Sequence, residues 1–208
     1  HVEAHVYGQA DYSRRAGIGA AILLIMVIGG RIIPSFTRNW LVRENPGRLP
    51  ASFGRFDVAA IATAALALLL WTILPGNLAS GALLALAAAT HLVRLGRWAG
   101  DRTLRDPLVL ILHVGYGFIP LGFALLAASD LWPSLLLPAA GIHALTGGAV
   151  GTMTIAVMLR ATLGHTGRPL VAGTGSLIAF AAIVSSALLR IVAAIEFNDI
   201  LLINAAGA

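Results

Sequence analysis

Six apolar stretches within 208 residues leave this chain few folds to adopt. They run near 17–34, 57–74, 78–95, 107–128, 133–159 and 170–195. Each is close to the about 20 residues that a helix, rising 1.5 Å per residue, needs to cross the hydrocarbon core of a bilayer. Backbone N–H and C=O groups find no water there, so such stretches must satisfy them internally, as helices. The sequence therefore predicts an all-α protein, a polytopic transmembrane helix bundle of about six spans. It forms a single transmembrane domain over 1–208, with the lipid bilayer as its surroundings. Charged residues are 11% of the chain, against about 25% in soluble domains. A water-soluble globule with so little polar surface is excluded.

Punctuation agrees with this division. Pro107, Pro133 and Pro169 stand at expected helix starts, where a missing N–H does no harm. Pro75-Gly76 and Asp130-Leu131-Trp132-Pro133 read as tight turns between spans. The tail after Ile195 is too short to span. The chain opens on histidine, which suggests a processed chain, an excised piece or part of something longer.

All 14 basic residues are arginine. They punctuate the apolar segments and do not form one basic face, so nucleic acid is not an expected partner. Arg38, Arg43, Arg48, Arg55, Arg97, Arg102, Arg105 and Arg168 fall in the first, third and fifth connections, with Arg31, Arg94 and Arg160 at helix ends on the same side. Only Arg14, Arg15 and Arg190 fall on the other side. Positive residues stay in the cytoplasm, which predicts three cytoplasmic connections and both chain ends outside.

Ionisable groups at membrane depth usually face the bundle interior or a cavity. His91, His113 and His143 all lie inside expected spans. His91 is six residues from Arg97, and His113 six residues from Pro107, so each sits about 9 Å below the same face on consecutive helices. That matched depth suits two ligands to one metal ion or haem iron, and His143 is placed nearer the midplane. Gly117 follows His113 by one turn, and Gly147 and Gly151 follow His143. Such gaps leave room for a flat ligand, although Gly147-xxx-Gly151 equally describes a small-residue helix contact.

Arg94, three residues after His91, either meets a haem propionate or snorkels to the interface, the simpler expectation. Arg31 has the same two readings. Asp57 is expected to be the N-terminal charge of its helix. His1 and His5 are spaced to chelate a metal if helical, and the polar stretch 161–169 either closes over a site or turns the chain. With no cysteine, disulfides, thiolate metal sites and thioether-bound haem are excluded. Phosphate loop, dinucleotide fingerprint, nucleophile elbow and His-Glu-x-x-His are all missing, and carboxylates are expected to be absent from mid-span.

Two stretches resemble the NnrS family of bacterial membrane proteins, associated with the response to nitric oxide. The first is Gly29-Gly-Arg-Ile-Ile-Pro-Ser-Phe-Thr-Arg-Asn39. The second is His143-Ala-Leu-Thr-Gly-Gly-Ala-Val-Gly-Thr-Met153, continuing to Arg160-Ala-Thr-Leu-Gly-His-Thr-Gly-Arg168. A weaker likeness covers His113-Val-Gly-Tyr-Gly-Phe-Ile-Pro-Leu-Gly122. The resemblance implies a multi-pass protein of the bacterial inner membrane that binds haem, of b type since no cysteine is present, and copper, and that relieves nitrosative stress. It assigns no settled catalytic reaction. The family's chains are about twice as long, with about twelve spans, so the chain looks like a C-terminal half whose partner is the missing N-terminal half or another membrane subunit. Candidate cofactor residues are His91, His113, His143, Arg94, Gly117 and Gly147, with the three histidines as metal ligands. Two other classes stay open: a non-catalytic accessory subunit of a respiratory or photosynthetic complex, and a metal-ion transporter or pore.

Overall fold

In a computed structural model of the chain, residues 3, 5, 10–134 and 136–196 are described. The expected His1–His5 chelate and the tail beyond Glu196 lie outside the described residues. The described chain is all-helical, with six helices long and apolar enough to cross a membrane. They are α1 (Asp11–Glu44), α2 (Arg55–Ile73), α3 (Leu78–Gly96), α4 (Pro107–Leu131), α5 (Pro138–His165) and α6 (Thr174–Glu196).

The sequence suggests a stop for α1 near Pro34, yet the helix continues through it to Glu44. A single proline removes one N–H from the ladder, and packed neighbours in a bundle compensate. The 34 residues of α1 reach about 51 Å, beyond a hydrocarbon core of about 30 Å. The extension brings Arg38 and Arg43 alongside the interhelical connections. α5 begins at Pro138, not Pro133. Its stretch Ala144–Gly151 is π-helical.

α4 is the centre of the bundle, packed by α1, α3 and α5, while α6 packs on α5. Its contact with α5 is close. A Cβ added to Gly122 would lie 2.5 Å from Leu145, and one on Gly148 2.5 Å from the Phe118 ring. The tight small-residue contact therefore runs through Gly148 and Gly141, not through Gly147 and Gly151.

Polar clamps tie the helix ends. Arg102 donates to the carbonyls of Asn45 and Pro46, each at 3.0 Å, and Arg48 pairs with Asp101. These bonds join the α1–α2 and α3–α4 connections at one end. At the other end the Gly76 N–H donates to Asp130 Oδ1 at 3.0 Å. At the α5–α6 connection the chain turns through Gly167, at φ +66°, and does not close over the histidines. His165 is exposed there.

Candidate functional site

Four helices meet around Arg94. One helical turn separates His91 from Arg94 on α3, so both point to the same side, and both are fully buried. The expectation that Arg94 snorkels is therefore overturned. Asp57 holds it inside: Arg94 Nε donates to Asp57 Oδ1 at 2.8 Å. Asp57, 3% exposed, also accepts from the Gly54 N–H at 3.0 Å. It thus caps α2, as its position suggests, while also forming a buried ion pair that the sequence did not announce. Arg97 approaches its second oxygen at 3.6 Å.

The remaining Arg94 donors meet α1 and α4. Nη1 lies 3.0 Å from the Met26 carbonyl and 2.7 Å from the Tyr116 hydroxyl. Nη2 is buried without a hydrogen-bond partner among the described residues. It rests on Gly30, where an added Cβ would approach to 2.1 Å. Trp98 flanks the guanidinium at 5.2 Å from its ring centroid, a favourable cation–π position.

His91 completes the chain of bonds. Its Nε2 is 3.2 Å from the Ala60 carbonyl, which only accepts, so Nε2 carries the hydrogen. Nδ1 then accepts from the Tyr116 hydroxyl at 2.8 Å. Asp57, Arg94, Tyr116 and His91 thus form one directional network with both imidazole nitrogens engaged.

His113, 6% exposed, has a separate environment. Nδ1 donates to the Val109 carbonyl at 3.1 Å, and Nε2 lies 3.4 Å from Thr37 Oγ1. The Thr37 hydroxyl itself bonds the Ile33 carbonyl at 2.8 Å. Gly100 packs on the ring, where a Cβ would come within 2.4 Å of Cδ2. His91 and His113 are both interior, but different protein groups hold their nitrogens. Among the described residues, no group of three or more His, Cys, Asp or Glu is arranged to hold a metal ion.

His143 is the more open imidazole. It is half-buried on α5, on the face where Gly147 meets Arg190 of α6. A Cβ on Gly147, one turn along, would meet only the Arg190 Cδ, at 4.0 Å. Gly117, by contrast, packs against Leu95. As packed, His91 and His113 leave no room for a haem, because each ring is enclosed by packed neighbours. His143 instead has Gly147 and Arg190 beside it on its face of α5. Sequence reasoning assigned no role to Tyr116, Thr37 or Gly30, although each lies in a family-like stretch, and Gly100 lies outside those stretches.

No curated protein and no solved structure matches the chain. The family model described as NnrS protein matches residues 1–208. Carrying that match along its whole length, with six helices able to span a bilayer, the chain belongs to the NnrS family.

Proposed function

We propose that this chain serves the bacterial response to nitric oxide in the inner membrane, and that His143 holds a b-type haem on the α5–α6 face. Family membership over the whole chain supports the first part. The observation that carries the second is the half-buried His143 beside the open Gly147 and Arg190. His143 would hold the iron, Gly147 would give the porphyrin room, and Arg190 would meet a propionate. Another membrane subunit, or a further part of a longer chain, would supply the second ligand. A bound haem would supply an iron able to take nitric oxide. Nitric oxide is apolar and enters from lipid, so a face within the bilayer needs no water channel. Copper enters this reading through the family resemblance alone.

Purified protein, prepared with and without its genomic neighbours, tests the proposal by its optical spectrum. A Soret band that shifts on nitric oxide addition is expected. His143→Ala should abolish it, whereas His91→Ala and His113→Ala should retain it and lower the melting temperature. Colourless protein in both contexts, with a deletion strain as resistant to nitric oxide as its parent, would sink the proposal and favour an accessory-subunit role.

A further inference from the structure

The arginine-rich end of the bundle contains a groove that the histidine chemistry does not use. Two adjoining cavities, of about 1000 and 630 Å³, lie between the C-terminal parts of α1 and α5 and share Phe36, Asn39, Arg43, Arg160 and Leu170. One wall is apolar, with Ile32 and Val157. The rim is cationic: Arg38 lines the first cavity and Arg105 the second, beside the shared pair.

Arg160 is the key residue. Its guanidinium lies 4.1 Å over the Phe36 ring, and its Nη1 is buried without a hydrogen-bond partner among the described residues. None of Arg38, Arg43, Arg105 and Arg160 has a carboxylate within ion-pair distance among the described residues. Two carboxylates border the second cavity, Glu44 and Asp106. Asp106 is engaged in capping α4, accepting from the Leu108 N–H at 3.0 Å. Arg160 is five residues from the end of α5 at His165, about 7.5 Å along the axis, a depth suited to the interface of a bilayer.

An apolar trough ending in unpaired arginines at the interface matches an anionic amphiphile in both shape and charge. Basic pockets between transmembrane helices on the cytoplasmic side bind acidic lipid headgroups, and guanidinium forks suit phosphate oxygens. We propose that this groove is a binding site for an acidic phospholipid. Its phosphate is held by Arg160 and Arg43, and one acyl chain lies along Ile32 and Val157. The arginines also choose the headgroup, since a zwitterionic lipid would bring an added cation among them. The site is independent of any porphyrin on the α5–α6 face.

Delipidated full-length chain, offered bicelles of phosphatidylglycerol or of phosphatidylcholine, tests this by native mass spectrometry of retained lipid. Phosphatidylglycerol should be retained several-fold over phosphatidylcholine. Arg160→Gln and Arg43→Gln should each lower that retention about fivefold, and Val157→Trp, which keeps the charges and fills the trough, should lower it as well. Arg14→Gln, at the other end, should not. Arg43→Gln keeps the test decisive if Arg160→Gln fails to fold. Equal retention of both lipids, or retention unchanged in Arg43→Gln and Val157→Trp, would overturn the proposal. So would displacement of the lipid by millimolar inorganic phosphate with Val157→Trp silent, or a Soret band lost in Arg160→Gln, which would give the groove to porphyrin carboxylates.

Discussion

Arg94 Nε and Asp57 Oδ1 are 2.8 Å apart, joining α3 to α2 inside the bundle, where neither side chain has appreciable exposure. Removing one partner from such a pair strands the other charge and costs about 3–5 kcal/mol. Asp57→Ala should therefore lower stability in detergent by that amount. The double variant Asp57→Ala/Arg94→Met should recover much of the loss, since it leaves no orphaned charge. Thermal melts followed by circular dichroism measure both. A single variant as stable as the parent would show that the pair is not buried.

Tyr116 couples Arg94 to His91 through one hydroxyl. Tyr116→Phe should destabilise by about 1–3 kcal/mol, the usual effect of leaving buried polar partners unsatisfied. Combined with His91→Ala the losses should not add, with an interaction energy of about 0.5–3 kcal/mol. Simple additivity in a double-mutant cycle would contradict the shared bond.

Two glycine-to-alanine substitutions should behave oppositely. At Gly30 the new methyl meets Arg94 Nη2 at 2.1 Å, and the guanidinium is fixed by three other bonds, so Gly30→Ala should cost about 1–3 kcal/mol. At Gly17 a Cβ has no neighbour within 4 Å. Gly17→Ala should be neutral or stabilising by up to about 1 kcal/mol from helix propensity. Parallel melts of the two variants decide the matter.

The chain has no cysteine, so single introduced thiols report orientation cleanly. Ser52 and Leu104 are exposed at the arginine-rich end, and Asn77 and Ser134 at the other. In intact cells the first pair should react only with membrane-permeant label, and the second pair with impermeant label as well. The reverse pattern would invert the orientation. Thr103 and Ser129, at the same two ends, are buried and would label poorly.

The six spans were legible because burial in lipid requires long apolar runs. Site geometry was legible only along the helix axes. Residue counting gives only an expected depth; the burial of His91 and His113 is a matter of which way each ring faces. It does not give azimuth, which depends on how each helix rotates against its neighbours. That is why His91 meets Tyr116 and His113 meets Thr37, with their nitrogens held by separate partners. Asp57 looked like a cap because capping is local. Its reach to Arg94, 37 residues away, is set by packing.

The π-helical stretch of α5 changes what its periodicity means. The buried positions of α5 fall at 140–141, 144–145, 148–149, 152–153 and 156, a repeat of four. On a regular α-helix such a row drifts about 40° per repeat, or about 160° from 140 to 156, and would wind away from α4. Wider turns over Ala144–Gly151 offset that drift and keep the row on one face. The stretch therefore acts as a phase adjuster between the two halves of α5. Deleting one residue there would rotate Arg160 relative to His143, separating the two faces without altering either set of side chains.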